Sequence, residues 1–446
     1  MNLGVSTIAR RETLAEAVAA LGDRYWNNEP VEELVSGLTQ TFDLLIIDLW
    51  QQHFNEINGC ALFAVGGYGR AELHPGSDID ILVLADKPQQ HREAIEAFLR
   101  DVFDLNVEVG HSVRDIKTCI KECRGDITVA TALFERRFLT GDASLIAPLD
   151  KALRHRKIWP IEDFFLAKRD EQVARHRHYD NVDYNLEPNI KTSPGGLRDI
   201  HTTLWICNRQ FGTTDIEELV RLGVLTDIEA RWLKDGKRFL WWVRYGLHTL
   251  AGRKEDQLHF ARQRELSQRL GFMDTESKSA VELFMQHYYR HVMALSEVND
   301  IILQYFQEDI VAKKKPTMEP LNDRFRLVNR RIDVVQPDIF LKNPSAMLEM
   351  FLLMAQREEN IRVRVTAIRA LRDAVHLIDE EFRQNPENCR LFLRILKAPY
   401  TVVTQLTRMR RYGVLGRYLP VFGDIVGQMQ HDLFHIYTVD AHTMMV

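Results

Sequence analysis

The sequence predicts an α+β fold in which a small mixed sheet with flanking helices precedes a long, mostly helical region. Two aliphatic runs at residues 61–65 and 79–84 are too short for helices and are bordered by Gly and Pro, as buried strands are. From Ile116 onward the apolar residues recur at helical spacing instead. The length of 446 residues exceeds a single compact core, so we expect about two to four domains.

The remaining elements follow in chain order. Residues 10–53 are predicted to be helical, and residues 105–109 are predicted to form a third strand. Between the second and third strands we expect a helix with the apolar residues Ile95, Phe98, Leu99, Val102 and Phe103 on one face. A long helix is predicted by the stripe Val281, Phe284, Tyr288, Val292, Leu295, Val298, Ile302 and Tyr305. The basic, proline-ended stretch 312–316 is the predicted domain boundary.

Composition restricts the class of protein and its partners. Hydrophobic residues make up 45% and charged residues 27%, which is typical of a packed globular protein. Lys and Arg number 58 against 63 acidic residues, so we expect no nucleic-acid partner. No stretch approaches the roughly 18 apolar residues of a membrane span, so we expect no membrane partner and a cytoplasmic location. The five scattered cysteines are expected to be buried free thiols.

Two aspartates, Asp78 and Asp80, stand at the start of the second aliphatic run. Residues two apart on a strand point to the same face and lie roughly 7 Å apart, so the two carboxylates project side by side. Ionised carboxylates this close repel each other, and a divalent metal is the simplest counter-charge. Two such ions would also neutralise a nucleoside triphosphate and activate an attacking oxygen. The pair therefore predicts phosphoryl or nucleotidyl transfer.

The glycine-rich turn before this strand fits the same chemistry. Gly66 and Gly67 allow the backbone to approach phosphates, Arg70 is placed for bidentate contacts, and Ser77 offers a hydroxyl. The alternative is an ordinary glycine turn followed by a surface Asp-x-Asp on an edge strand. The occurrence of all these elements together favours the nucleotide site.

A third carboxylate is needed to accept the proton of the nucleophile or to complete the metal shell. Glu108 is the first candidate, because alternation on the predicted third strand places it opposite the apolar Val107 and Val109. An exposed strand glutamate is the alternative reading. Asp104 and Asp126 are weaker candidates, since both fall in helical or turn surroundings.

A second glycine pair precedes another predicted helix. Gly195 and Gly196 lead into it, and the N-terminus of a helix binds anions. Arg198 lies in the first turn, and Lys191 lies shortly before it. We expect this segment to form the second wall of the nucleotide cleft, while a capped structural helix is the alternative.

These motifs resemble the DNA polymerase β-type nucleotidyltransferases, whose pattern is a glycine turn, a strand with Asp-x-Asp and a later acidic residue. The strings VGGYGRAELHPGSDIDILVL, EVGHSVR and EPNIKTSPGGLRDIH are similar to the bacterial PII uridylyltransferase/uridylyl-removing enzymes, over nearly the whole chain. The resemblance implies transfer of UMP from UTP to a tyrosine of the PII signalling protein. It implies Mg²⁺, or Mn²⁺, held by Asp78 and Asp80, with Glu108 as the third acid.

Two other functions stay open. Glutamine synthetase adenylyltransferase shares the SDID and GGLRD elements, although it usually differs around the glycines. A catalytically silent nucleotide-binding regulatory module would retain the same fold. By the resemblance, residues 1–145 are the catalytic domain with its N-terminal helices, 146–315 an associated helical domain, and 316–446 a linker and the incomplete start of an all-α HD domain.

The end of the chain contains histidines that suggest a metal site. In the family, the segment YTVD-x-HT carries the first HD ligand, which corresponds to His442, although Ala441 replaces an expected acid. His431 and Asp432 are not expected to belong to that site, and a satisfied histidine at a helix start is the alternative for His442. We therefore expect this chain to add UMP but not to remove it. We expect no response to glutamine, because no C-terminal ACT domains follow.

Overall fold

The computed structural model describes residues 7–54, 58–154, 158–179, 186–311, 316–429 and 438–444. The chain divides into two compact units. The first comprises Met1–His178, Glu187–Gly223 and Leu233–Gly271, and the second comprises Tyr179–Leu186, Val224–Trp232 and Phe272–Val446. Residues 312–315 of the predicted boundary lie outside the described residues, and the predicted domain limits stay predictions.

A small mixed sheet forms the centre of the first unit, as predicted. Its strands are β1 (Cys60–Val65), β2 (Ile79–Ala85), β3 (Val109–Arg114) and β4 (Arg137–Gly141), in the order β3-β2-β1-β4. β2 runs parallel to β3 and antiparallel to β1, and β4 pairs antiparallel with β1.

The first two strands confirm the sequence prediction, but the third does not. β3 begins at Val109, in register with Ile79, and not at residue 105. β3 is a half-buried edge strand with the sequence VGHSVR. Because this sequence contains no aliphatic run, the pattern that predicted β1 and β2 did not detect β3. The other edge strand, β4, is equally polar and was not predicted.

Both faces of this sheet are buried. The sequences of β1 and β2 are therefore continuous aliphatic runs and do not alternate between apolar and polar residues. The helices up to residue 271 are α1 (Thr7–Trp26), α2 (Val31–Phe54), α3 (Gly66–Gly69), α4 (Arg92–Phe103), α5 (Ile116–Gly125), α6 (Ile127–Phe134), α7 (Ile146–Leu153), α8 (Ile161–Arg177), α9 (Leu197–Phe211), α10 (Ile216–Arg221), α11 (Asp227–Ala251) and α12 (Phe260–Arg269). One face of the sheet joins a core with α1, α2 and α4, and the other joins a core with α5, α6 and α7. The predicted helices at residues 10–53 and 95–103 are confirmed.

The second unit contains the predicted long helix, α13 (Ala280–Tyr305), which begins with a capping box between Ser279 and Glu282. It also contains a second sheet that was not predicted, with strands β5 (Met318–Pro320), β6 (Phe325–Val328), β7 (Arg331–Val334) and β8 (Arg362–Val363). Its further helices are α14 (Ile339–Lys342), α15 (Ala346–Ala355), α16 (Val365–Ala374), α17 (Glu380–Gln384), α18 (Pro386–Leu396), α19 (Val402–Arg411), α20 (Val414–Tyr418), α21 (Pro420–Ile425) and α22 (Val439–Thr443).

Two predictions from composition can be compared with the structure. All five cysteines are free, as expected, and four are buried as expected, whereas Cys389 is partly exposed. Across the described ranges, no helix combines the length and the apolar character that crossing a membrane requires.

Candidate functional site

A cavity of about 430 Å³ opens in the first unit beside the start of β2. It is lined by most of the residues that the sequence predicted for a nucleotide site: Gly66, Gly67, Arg70, Ser77, Asp78, Asp80, Lys191 and Arg198. Glu108, Gly195 and Gly196 are not among its lining residues. Tertiary structure thus brings two motifs that are far apart in sequence to one cavity.

The two aspartates occupy the end of β2 next to this cavity. Asp78 immediately precedes the strand, and Asp80 is its second residue, opposite Val65 on β1 and Gly110 on β3. A side chain on Gly110 would overlap the Asp80 carboxylate, and a Cβ on Gly66 would lie 3.1 Å from Asp80 Oδ2. Two glycines therefore make the space in which the Asp80 carboxylate lies. Sequence reasoning found Gly66 but missed Gly110, for which a glycine within a strand was the available signal.

The two carboxylates differ in their electrostatic surroundings. Burial raises the pKa of Asp78, but the ammonium groups of Lys254 and Lys191 outweigh burial and hold that pKa below its usual value. The pKa of Asp80 is raised, first by burial and then by the neighbouring Asp78 carboxylate. Like charges that are incompletely neutralised form a suitable site for a divalent cation.

Glu108 lies just before β3, where its backbone oxygen accepts a hydrogen bond from the Ile79 N–H at 3.0 Å. This bond keeps Glu108 beside the aspartates, although its side chain is 70% exposed. Within the described ranges, no three His, Cys, Asp or Glu side chains are grouped closely enough to hold a metal ion. The Asp78–Asp80 pair offers two carboxylates to a divalent ion, and the roles of this pair as metal ligands and of Glu108 as third acid stay predictions.

The first glycine turn folds as the short helix α3, and it positions Arg70 at its end. The Arg70 guanidinium donates to Glu72 Oε2 at 2.7 Å and lies 2.7 Å from Glu135 Oε2. Both glutamates are nearly buried, at 7% and 8% side-chain exposure. Arg70 is thus held mainly by protein carboxylates, and its predicted contact with phosphate stays untested.

Ser77 is also engaged within its own loop. Its Oγ accepts a hydrogen bond from the His74 N–H at 2.9 Å, and its N–H donates to the His74 carbonyl at 2.8 Å. These bonds close the turn that leads into Asp78. Ser77 lines the cavity, so a contact with nucleotide remains a prediction alongside this structural role.

The second glycine pair, Gly195 and Gly196, precedes α9 at the opposite wall of the cavity. The N–H groups at this end of α9 already have a partner within the protein. Gly195, with φ of 72°, donates its N–H to the buried Asp199 carboxylate at 2.7 Å. A Cβ on Gly196 would lie 2.7 Å from the Ile190 carbonyl oxygen, so a side chain does not fit there. Asp199 also binds Arg175, at 2.6 Å. This arrangement favours a capped structural helix, and anion binding at this helix end stays an untested prediction.

The cationic residues of this wall do line the cavity. Burial, together with the nearby Arg244 guanidinium, lowers the pKa of Lys191 to about 8. The Arg198 guanidinium lies 5.2 Å from the ring centroid of Trp205, and the Lys168 ammonium lies 4.3 Å from it. Lys168 was missed by sequence reasoning because it belongs to α8 and to no motif.

The structure adds a turn at residues 253–257 that no sequence signal marked. The Lys254 ammonium lies 3.4 Å from Asp78 Oδ2 and 3.7 Å from Glu108 Oε2. Asp256 binds Arg244 at 2.7 Å and His248 at 3.2 Å, and His248 Nδ1 accepts the Gly76 N–H at 3.0 Å. The turn therefore braces the loop that carries the aspartates.

Three models of known protein families match parts of this chain. A nucleotidyltransferase domain matches residues 47–139, a GlnD PII-uridylyltransferase segment matches residues 163–303, and the third domain of uridylyltransferase GlnD matches residues 325–418. The chain belongs to the GlnD PII-uridylyltransferase family. The family resemblance of its motifs is thereby confirmed, and nucleotidyltransferases of this kind generally use divalent metal ions.

Among curated proteins, the GlnD-family chain is similar to bifunctional uridylyltransferase/uridylyl-removing enzymes. It is 47% identical to that of Pseudomonas aeruginosa (strain LESB58), 46% to that of Ectopseudomonas mendocina and 47% to that of Pseudomonas putida (strain GB-1). Each match covers 98% of this chain and 49% of the relative. The chain thus spans about half the length of the curated relatives it matches.

The predicted HD ligand of this GlnD-family chain, His442, lies in the short helix α22 with an exposed side chain. The neighbouring Asp440 is buried, with Arg410 Nε 3.1 Å away and the Gly427 N–H 3.1 Å away. His431 and Asp432 lie outside the described residues. The role of His442 as a metal ligand therefore stays a prediction.

Proposed function

We propose that this chain transfers UMP from UTP to a tyrosine hydroxyl of the PII signalling protein and releases pyrophosphate. The observation that carries the proposal is the incompletely neutralised pair Asp78 and Asp80, which lines a cavity with Lys191 and Arg198. A carboxylate pair opposite cationic side chains suits a metal-bound triphosphate. Family membership supports uridine as the base and PII as the acceptor.

In the proposed reaction the tyrosine oxygen attacks the α-phosphorus of UTP. A bond forms between that oxygen and phosphorus, and the bond from the α-phosphorus to the bridging oxygen breaks as pyrophosphate leaves. Asp78 and Asp80 would hold Mg²⁺, or Mn²⁺, whose charge offsets that of the triphosphate. Lys191 and Arg198, which line the same cavity, would neutralise phosphate oxygens, and Glu108 is the proposed acceptor of the tyrosine proton.

The decisive experiment measures labelled nucleotide incorporation into PII with each of the four ribonucleoside triphosphates. We expect incorporation from UTP with stoichiometric release of pyrophosphate. A preference for ATP, with glutamine synthetase as acceptor, would favour the adenylyltransferase. Nucleotide binding without pyrophosphate release would favour the silent regulatory module.

The role of Glu108 has a separate test. If Glu108 accepts the proton, Glu108→Gln should reduce the single-turnover rate by about tenfold or more while the dissociation constant of UTP changes little. Equal changes in both quantities would identify Glu108 as a binding residue instead. Glu96→Gln is a matched control, since Glu96 is exposed on α4 and pairs only with the exposed Arg92 in the described structure.

We propose that these 446 residues carry the transfer reaction, and that His442, the one residue matched to an HD ligand, does not by itself hold a hydrolase metal. Metal-dependent release of UMP from uridylylated PII by this chain would contradict that. The domain assignment 1–145, 146–315 and 316–446 and the cytoplasmic location belong to the same proposal.

A further inference from the structure

The Lys254 side chain lies between two of the acids that the proposed reaction uses. Its ammonium is 3.4 Å from Asp78 and 3.7 Å from Glu108, and about one-third of the side chain is exposed, at 35%. In sequence, Lys254 lies far from both acids and outside the two glycine-containing motifs that predicted the nucleotide site. Its position is created by the fold alone.

The backbone of Lys254 is fixed against the loop that carries the aspartates. Gly76 packs so tightly on the Lys254 backbone nitrogen that a Cβ at Gly76 would overlap it. The Gly76 N–H also donates to His248, which binds Asp256 two residues beyond Lys254. The base of the lysine side chain is therefore held in place, while its long aliphatic stem leaves the ammonium free to move over several ångströms.

A single ammonium is a weaker counter-charge for clustered carboxylates than a divalent ion is, and the two cations repel each other. A metal ion bound to Asp78 would therefore compete with the Lys254 ammonium, which lies 3.4 Å from Asp78 Oδ2. The phosphates of an incoming nucleotide provide that ammonium with a new anionic partner.

We propose that Lys254 is an internal counter-ion, which neutralises Asp78 and Glu108 before substrate arrives and competes with the divalent ion until the nucleotide enters. This inference rests on the proposed function for the identity of the metal–nucleotide substrate. It makes metal binding depend on nucleotide: the ion is held weakly by the free enzyme and firmly once phosphates accept the lysine.

The test measures Mn²⁺ binding to the nucleotide-free chain by electron paramagnetic resonance, which needs no turnover. We expect Lys254→Gln to tighten Mn²⁺ binding by about five- to tenfold, because a cation adjacent to the site has been removed. The matched control is Arg253→Gln, which removes the same charge from a neighbouring side chain that is 77% exposed and pairs with Glu255. The control should change Mn²⁺ affinity by less than about twofold.

A second measurement adds a non-hydrolysable UTP analogue. We expect Lys254→Gln to bind this analogue about tenfold more weakly in the presence of Mn²⁺, and the gain in Mn²⁺ affinity to disappear. Equal Mn²⁺ affinities for Lys254→Gln and Arg253→Gln would overturn the inference, as would a gain that persists with the analogue.

Failure of the inference can be separated from failure of the proposed function. If Mn²⁺ binds, and Asp78→Asn abolishes that binding, the metal site stands even when Lys254→Gln has no effect. If wild type and Lys254→Gln both fail to bind Mn²⁺, with and without the analogue, the metal site and the counter-ion role are both excluded.

Discussion

Two groups of carboxylates line the same cavity, and the protein compensates their charge differently. Glu72 is nearly buried and has two cationic partners, Arg70 and Lys237, at 2.7 Å. His201 Nε2 lies 3.0 Å from Glu72 Oε2 as a hydrogen-bond partner, since burial and the Arg70 charge lower the pKa of His201 to about 3. Asp78 has the more distant Lys254, and among the described residues no ion pair is formed by Asp80.

The pKa directions follow this difference. Burial raises the pKa of Glu72, but Arg70, Lys237 and His201 outweigh burial and hold it well below the usual value, whereas the pKa of Asp80 is raised. The fully compensated carboxylate holds the cavity wall together. The undercompensated pair is where an external cation gains most by binding.

The largest effect should come from removing one member of the undercompensated pair. We expect Asp80→Asn to reduce UMP transfer by about a thousandfold, or ~4 kcal/mol in the barrier, because metal coordination is lost. Its free energy of unfolding should be unchanged or higher, since repulsion by Asp78 is relieved. Pyrophosphate release and urea unfolding measure the two quantities. Asp86→Asn, an exposed position just beyond β2, is the control and should retain transfer.

Glu72→Gln should instead lower the stability of the folded protein. This change removes the nearly buried carboxylate that pairs with Arg70 and Lys237, whose side chains are 20% and 26% exposed, so we expect a loss of about 3 kcal/mol in the free energy of unfolding. Glu265→Gln removes a carboxylate that is 39% exposed and pairs with the partly exposed Arg262 and Arg269, so it should cost less. The free energies of unfolding of the two variants are compared by urea unfolding, with tryptophan fluorescence as the signal. Similar losses in both variants would show that Glu72 is not a structural anchor.

A smaller effect should come from the glycine that makes room for Asp80. Gly110→Ala would force the Asp80 carboxylate to move, and we expect kcat/KM for transfer to fall by about thirtyfold. Gly125→Ala is the control, because a Cβ at Gly125 meets nothing within 4 Å. Normal activity in Gly110→Ala would mean that the position of this carboxylate is not critical.

The pH dependence of stability should have opposite signs for the two groups. Because the folded-state pKa of Asp80 is raised, its ionisation costs stability, and the advantage of Asp80→Asn should appear as the pH rises through that pKa. Because the folded-state pKa of Glu72 is lowered, its contribution is present above the ordinary glutamate pKa of about 4.3 and is lost as the pH falls towards the folded-state value. Unfolding curves between about pH 2 and pH 8 would show both trends, and parallel slopes for the two variants would contradict the comparison.

The sequence alone determined the parts of this protein that depend on local pattern. The aliphatic runs gave β1 and β2, the apolar stripe gave α13, and the spacing of Asp78 and Asp80 identified the acidic pair. These features are readable because strand length, helical period and side-chain alternation are properties of consecutive residues. The same local strings were sufficient to identify the family.

Tertiary structure decided which residues meet at the site. The ladder with β2 places the third strand at Val109–Arg114, which leaves Glu108 just outside it. The hydrogen bond from Gly195 to Asp199 and the position of Lys254 beside Asp78 likewise could not be predicted from the sequence. Strand pairing and ion pairing join residues that are distant along the chain, and their energies depend on burial and on neighbouring charges that only the folded chain brings together.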